Sequence, residues 1–193
     1  VAGVWNRSRW QGVELADKTL GIVGLGRIGQ MVAKRAAAFD MRLVAHDPYV
    51  SEESAHPLGV EMLDLEELVA QADFLTLHLA PTPETMGLID ADLLALAKPG
   101  LRLVNVARGG VIDEEALADA VREGRIAGAA LDVFAEEPTT ESPLFGLPGG
   151  IVTPHLGAST TEAQDKAGTT IAEQVVLALA GDFVPFAVNI DVD

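Results

Sequence analysis

The chain has 193 residues, 49% of them apolar, which is enough for one doubly wound domain but not for a second complete one. Its lack of cysteine excludes a disulfide framework and a thiolate metal site, and it suits a reducing cytoplasm. Thirteen basic and 29 acidic side chains give a net charge of -16, which argues against nucleic acid and membrane surfaces as partners.

Strands are predicted from short runs rich in valine, leucine and isoleucine, which alternate with longer segments of helical period. This alternation is typical of repeated strand–helix units, and most of the runs lack the polar alternation of half-exposed strands. The pattern therefore predicts an α/β fold, a doubly wound parallel sheet with helices on both faces. The predicted strands are Thr19–Val23, Arg42–His46, Phe74–His78, Arg102–Val106, Gly128–Val133 and Ile151–Thr153.

Helices are predicted where apolar residues recur at helical spacing: Ile28–Phe39, Leu65–Ala72, Ala91–Ala97, Glu114–Arg122 and Thr161–Ala180. Thr160 is a suitable capping residue for the last helix. Apolar residues of that helix recur at four-residue intervals from Ala163 to Leu179, so we expect one stripe to pack on the sheet or on a partner.

A glycine motif follows the first predicted strand and opens the first predicted helix. Gly24 permits a tight turn, Gly26 lets the backbone approach a pyrophosphate, and Gly29 lets the helix pack close to the strand. The helix N-terminus supplies amide donors to the same phosphates. Taken alone, this spacing is also found in ordinary glycine-rich turns.

Asp47 adds the second half of a dinucleotide-binding fingerprint, because it follows the second predicted strand about 20 residues after the glycines. A carboxylate at this position accepts hydrogen bonds from the ribose hydroxyls and repels a 2′-phosphate, which predicts NAD rather than NADP. The alternative is a surface aspartate in the turn before Pro48. Together the two halves predict a Rossmann-type fold.

Three chemically active residues follow three further strands, at the edge where open parallel sheets bind ligands: Arg108, Glu137 and His155. Each of them alone has an ordinary interpretation as a loop or surface residue. Beside a nicotinamide, however, a histidine can accept the proton of a secondary alcohol, a carboxylate can hold its tautomer, and a guanidinium can bind the substrate carboxylate. We therefore predict these three residues to be catalytic.

The chain resembles the D-2-hydroxyacid dehydrogenases over essentially its whole length. The resemblance rests on motifs that occur in the family's order: Gly24–Gly29, Asp47–Tyr49, Asn105–Gly110, Leu131–Phe134 with Glu136–Pro138, and Pro154–Gly157. It implies that Arg108 binds the carboxylate, that Glu137 is the histidine partner and that His155 is the acid and base. It also implies the set of residues that surrounds the dinucleotide, with Asp132 near the nicotinamide amide: Gly24, Gly26, Arg27, Ile28, Gly29, Asp47, Val106, Ala107, Arg108, Asp132, His155, Gly157 and Ala158.

Within that family, His155–Thr160 followed by Glu162–Gln164 looks most like the members that act on 3-phosphoglycerate. This resemblance implies NAD-dependent oxidation of that phosphorylated 2-hydroxy acid to 3-phosphohydroxypyruvate, the first step of serine biosynthesis. Leu79 departs from the pattern, because relatives often carry threonine there, so the main chain alone would serve the cofactor. Two alternatives stay open: another D-2-hydroxy acid as substrate, and an NAD-sensing binding module like the corepressors built on this fold.

Residues 1–193 are interpreted as one NAD-binding domain, in which 1–17 and 182–193 lead from and to a substrate domain that the chain lacks. Residues 182–189 look like a strand that returns to it. The resemblance also implies a homodimer or higher homo-oligomer, with Val1–Trp10 at the contact. No metal is expected, since His46, His56 and His78 do not pair at ligand spacing with one another.

Overall fold

The computed structural model describes Trp5 and residues 11–188. These residues fall into two compact units, of which the first ends at Pro154 and the second begins at His155. Within the described ranges, no helix has the length and apolar character needed to cross a membrane. The extent of one domain over 1–193 stays a prediction, and the expected contact at residues 1–10 lies outside the described residues except for Trp5.

The first unit is built on a seven-stranded parallel sheet with the order β3-β2-β1-β4-β5-β6-β7. The chain steps outward from β1 to β3 and then crosses back to β4 and steps outward in the other direction. This is the predicted doubly wound topology. The strands are β1 (Thr19–Val23), β2 (Arg42–His46), β3 (Val60–Met62), β4 (Phe74–Leu77), β5 (Arg102–Asn105), β6 (Gly128–Leu131) and β7 (Gly150–Val152).

Apolar side chains cover both faces of this sheet. Leu20 and Ile22 of β1 belong to one buried cluster, whereas Val23 belongs to the other. Because successive side chains of a strand point to opposite faces, the two clusters lie on opposite sides of the sheet. The covering helices are α1 (Arg27–Ala37), α2 (Glu52–Ala55), α3 (Leu65–Gln71), α4 (Ala91–Ala95) and α5 (Glu114–Arg122), with a 3₁₀ turn at His56–Leu58.

The structure corrects the sequence prediction at several boundaries. β3 and α2 were not predicted, because three and four residues are too few to show a periodicity. The predicted ends of β4, β5 and β6 are one or two residues too long. The N–H groups of His78 and Asp132 still donate to the neighbouring strands, and beyond these residues the chain enters loops at the carboxyl edge of the sheet.

The second unit contains α6 (Thr161–Ala180), with the predicted boundaries. The Thr160 side chain accepts a hydrogen bond from the Ala163 N–H at 3.1 Å, and Gly181 ends the helix in the left-handed conformation. None of the helix residues is buried, so the packing of its apolar stripe stays a prediction. Residues 182–188 form turns and irregular backbone rather than the expected strand, in a segment where Pro185 has no N–H for pairing.

Candidate active site

The predicted site residues of the first unit lie in loops and in the first turn of α1, at the carboxyl-terminal edge of the sheet. The glycine turn, residues 24–29, follows β1, and Asp47 follows β2. Residues 106–108 follow β5, and residues 132–137 follow β6. Since the connections after β1 and β3 run in opposite directions, the strand order switches between β1 and β4, and doubly wound sheets bind ligands above such a switch point.

The three glycines of the turn have different structural roles. Gly24 has a φ of 92°, and a Cβ there would lie 2.6 Å from the carbonyl oxygen of His78. A Cβ on Gly29 would overlap the carbonyl oxygen of Gly24. A Cβ on Gly26, in contrast, would meet no atom within 4 Å. Gly24 and Gly29 are therefore required by the fold, while Gly26 leaves open space beside the backbone, as close approach of a pyrophosphate requires.

The N-terminus of α1 is open to an anion. Gly26 precedes this 11-residue helix and provides no side-chain hydrogen bond, and its first turn has no acidic residue. The side chains of Ser51, Asp90, Asp113 and Thr160 do cap their helices. The first-turn amides of α1 lack intrahelical partners and point toward any phosphate bound here. Ile28, in the same turn, is 64% exposed although it is apolar.

Asp47, the predicted ribose acceptor, is hydrogen-bonded to the glycine turn. Its Oδ2 accepts a hydrogen bond from the Leu25 N–H at 2.8 Å, and its Oδ1 accepts one from the Tyr49 N–H at 2.9 Å. Each carboxylate oxygen has a second lone pair, so both can still accept from hydroxyl groups. The structural contact with Leu25 was not predicted from the sequence.

The loop after β5 carries Arg108 and is held by a buried side chain. Asn105 bonds to two main-chain groups of this loop, the Ala107 N–H and the Arg108 carbonyl, at 3.0 and 2.9 Å. The Arg108 side chain is exposed, and its Nη1 donates to the Ala107 carbonyl at 2.6 Å. Val106, at 48% exposure, presents an apolar surface on the same loop.

The Arg108 loop packs directly against the loop that carries Glu137. A Cβ on Gly109 would overlap the carbonyl oxygen of Phe134, so only glycine permits this backbone contact. The Phe134 N–H in turn donates to Oε1 of Glu137 at 2.9 Å, which fixes the direction of that carboxylate. The structure thus brings the segments of Arg108 and Glu137 together.

Glu114, which the sequence analysis did not assign to the site, anchors the Glu137 loop. It is the first residue of α5, and its Oε1 accepts from the Ala135 N–H at 2.7 Å. Its Oε2 accepts from the Ser142 hydroxyl at 3.3 Å. An acidic residue in the first turn of a helix is ordinarily explained by the helix dipole, so the sequence carries no separate signal for this role.

Asp132 is 4% exposed and is held by β5 and by the residue that follows β7. Its N–H donates to the Asn105 carbonyl at 2.9 Å, and its Oδ1 accepts from the Thr153 hydroxyl at 2.5 Å. Thr153 was not predicted as a site residue. The parallel register of β6 and β7, in which Leu131 pairs with Val152, places Thr153 beside Asp132.

A sequence profile described as the D-isomer specific 2-hydroxyacid dehydrogenase, NAD binding domain, matches residues 1–157. The chain belongs to this family. The D-3-phosphoglycerate dehydrogenase of Mycobacterium leprae is 60% identical over 190 residues, which are 98% of this chain and 36% of that relative. The chain therefore spans little more than a third of the length of this curated relative.

Solved structures of similar proteins have the same fold. The TT0316 protein of Thermus thermophilus is 40% identical and superposes with a TM-score of 0.86, over 94% of this chain and 57% of that one. A D-isomer specific 2-hydroxyacid dehydrogenase of Lactobacillus delbrueckii ssp. bulgaricus, in its NAD-complexed form, is 27% identical with a TM-score of 0.85, over 96% and 60% of the two chains. The predicted Rossmann-type fold and the predicted family are confirmed.

The described residues of this dehydrogenase domain fit NAD. The open space at Gly26 and the uncapped N-terminus of α1 suit a pyrophosphate, and Asp47 suits an unphosphorylated ribose. When bound, NAD supplies a nicotinamide that accepts a hydride. The predicted cofactor is thus consistent with the donors and acceptors that the chain presents.

His78 and Leu79 border the glycine turn of the dehydrogenase domain. A Cβ on Gly24 would lie nearest to the carbonyl group of His78 and 3.0 Å from Cδ2 of Leu79. Burial lowers the pKa of His78 below its ordinary value, and its Nε2 lies 3.1 Å from the Thr76 hydroxyl. His46 is a partly buried residue at the end of β2, with Nδ1 3.1 Å from the Leu63 carbonyl. No group of three or more potential metal ligands occurs among the described residues.

His155, Gly157 and Ala158 belong to the second unit, and all three are exposed. His155 has a φ of 55°, a left-handed conformation that few residues other than glycine adopt. Such conformations are concentrated at functional sites, where the surrounding structure maintains them. The catalytic role of His155 and the cofactor contacts of these three residues stay predictions.

Proposed function

We propose that the chain is the cofactor-binding part of a dehydrogenase that oxidises 3-phosphoglycerate to 3-phosphohydroxypyruvate with NAD. The observation that carries this proposal is the direct packing of the Arg108 loop on the Glu137 loop, at the same sheet edge as the dinucleotide turn. The name of the Mycobacterium leprae relative supports the substrate, at 60% identity. The D-3-phosphoglycerate dehydrogenase of Methanocaldococcus jannaschii, at 52% identity, supports it as well.

Each catalytic residue has one task in the proposed reaction. The exposed guanidinium of Arg108 binds the substrate carboxylate with two parallel hydrogen bonds and so orients the carbon that carries the hydroxyl group. His155 accepts the hydroxyl proton while the hydride leaves that carbon, which becomes the carbonyl carbon of the product. Glu137, whose carboxylate is already directed by the Phe134 N–H, holds the tautomer of the histidine.

A homodimer or higher homo-oligomer is part of the proposal. The predicted contact comprises residues 1–10, in which Trp5 and Trp10 would be the apolar anchors. Sedimentation at micromolar concentration measures this directly. A monomer at that concentration would contradict the assembly, without bearing on the reaction.

Two measurements test the function. Calorimetry of NAD with this chain measures the cofactor site, and NADH absorbance during turnover of 3-phosphoglycerate measures the reaction. Because the chain spans 36% of the relative, the turnover assay uses the complete dehydrogenase polypeptide. Lactate and glycerate serve as competing substrates. Faster turnover of either would replace the proposed substrate, and NAD binding without any turnover would favour a binding module.

A further inference from the structure

Asn105 is a buried polar residue at the end of β5. Its exposure is 1%, and its strand neighbours in the register, such as Leu131 on β6, are apolar and buried. Burial of a primary amide is unfavourable unless its donor and acceptor groups are both hydrogen-bonded. The position therefore demands specific partners, which a leucine at the same site would not need.

The oxygen and the nitrogen of the Asn105 side-chain amide both form hydrogen bonds with the loop that follows β5. Oδ1 accepts from the Ala107 N–H at 3.0 Å, and Nδ2 donates to the Arg108 carbonyl at 2.9 Å. These contacts are two and three residues along the chain, so the side chain closes a short loop on itself. Neither bond belongs to the sheet ladder, and both therefore serve to hold this loop.

The two bonds fix the peptide group before Ala107 and the peptide group after Arg108, while the Arg108 guanidinium stays exposed. Gly109 then brings the loop against Phe134, so its other end is also fixed. We propose that Asn105 is a positioning residue, whose donor end sets the direction of Arg108 toward the substrate carboxylate and whose acceptor end sets Ala107 toward the dinucleotide. This inference rests on the function proposed above.

Two substitutions separate the two ends of the amide. Asn105→Asp keeps the acceptor for Ala107 but turns a second acceptor toward the Arg108 carbonyl, whereas Asn105→Ala removes both contacts. In the complete dehydrogenase, we expect Asn105→Asp to raise the KM for the 2-hydroxy acid about 10-fold and to change the Kd of NAD by less than about 3-fold. Asn105→Ala should raise both constants.

A matched control separates positioning from general loss of stability. Asp73 directly precedes β4, at the amino-terminal ends of the strands and away from the candidate site, where it accepts hydrogen bonds from the Thr19 N–H and Lys98. Asp73→Asn should lower the melting temperature and leave the ratio of KM to the Kd of NAD unchanged. If Asn105→Asp does not fold, Asn105→Ser replaces it with the same expected split.

The outcomes distinguish the two proposals. A wild-type enzyme without turnover of any 2-hydroxy acid would overturn the proposed function. Normal wild-type turnover with an unchanged KM in Asn105→Asp would overturn the positioning role alone. The positioning role would also be overturned if Asn105→Asp raised KM and the Kd of NAD in parallel, by the same factor as Asp73→Asn at the same loss of stability.

Discussion

The carboxylate of Asp47 accepts a hydrogen bond from the Leu25 N–H at 2.8 Å, and thereby joins the end of β2 to the glycine turn after β1. One side chain thus supports the turn that is predicted to bind the pyrophosphate and is itself the predicted ribose acceptor. Loss of this carboxylate is therefore expected to weaken dinucleotide binding in both ways.

Asp47→Ala is expected to weaken NAD binding by roughly 1–3 kcal/mol, since hydrogen bonds to a charged group are lost. The wild-type chain should bind NAD more tightly than NADP, and the difference should narrow in the variant because the repulsion of the 2′-phosphate is gone. Calorimetry with both cofactors measures the two constants. Asp119→Ala, which removes one charge from the exposed side of α5, is the control. Equal wild-type affinity for NAD and NADP would contradict the assignment.

Gly26→Ala should weaken NAD binding while leaving the stability of the fold nearly unchanged. Its Cβ meets no protein atom within 4 Å, so the free energy of unfolding should change by less than about 1 kcal/mol. The same Cβ would occupy the space of the pyrophosphate and weaken NAD binding by roughly 1–3 kcal/mol. Gly29→Ala, whose Cβ overlaps the Gly24 carbonyl, should instead lower the stability of the free chain. Denaturant titration and calorimetry of both variants give the comparison, and an unstable Gly26→Ala would refute it.

His78 should make the stability of the chain depend on pH. Burial lowers its pKa in the folded state below the ordinary value of 6.5, so the unfolded chain takes up a proton first as the pH falls. The stability gained from a neutral His78 is therefore present above about pH 6.5 and is lost progressively toward the lower, folded-state pKa. Denaturant titrations at pH 7.5 and 5.5 should show a smaller acid loss in His78→Gln than in the wild type, with His56→Gln as the matched histidine substitution. An identical loss in His78→Gln would exclude His78 as its source.

Glu114→Ala should loosen the loop that carries Glu137. Both carboxylate oxygens of Glu114 accept hydrogen bonds from this loop, at Ala135 and Ser142, and the expected loss of stability is about 1 kcal/mol. Limited proteolysis should cut residues 135–150 faster in this variant. Glu115→Ala removes an acid from the same first turn of α5, so it controls for the helix dipole. Equal cleavage rates in the two variants would show that the contacts of Glu114 with this loop do not hold it in place.

Most of the sheet could be predicted because buried parallel strands are uninterrupted apolar runs, as at Ile22, Val44 and Leu75. β3 could not be predicted, since Val60–Met62 is too short to be recognised without its partner, β2. Strand ends were overestimated for a related reason. Val106 and Val133 continue the apolar pattern of their strands, although the backbone there has already left the ladder.

The candidate site residues could be proposed from the sequence because they belong to recognisable motifs, and their ligand contacts stay predictions. Some of the residues that hold their loops in place belong to no such motif. Glu114 acts on a loop 21 positions further along the chain, and Thr153 reaches Asp132 only because β6 and β7 are neighbours in register. Asn105 lies within a recognised motif, but the sequence does not show which groups its amide contacts, because the partners depend on the conformation of the loop.

The interior position of β1 in the sheet has a consequence for how the domain opens. All five of its residues are buried, and it pairs with β2 on one side and with β4 on the other. In a parallel sheet, alternate N–H groups of a strand donate to the neighbours on its two sides, so separation of the wing formed by β2 and β3 exposes only the β1 amides that face β2. We expect the edge strands β3 and β7 to exchange their amides with solvent deuterium first, and interior strands such as β1 to exchange later. The turn at Gly24 is thus attached to an interior strand that keeps its bonds to β4 during such openings, so the predicted phosphate-binding backbone should persist when the edge of the sheet is already disordered.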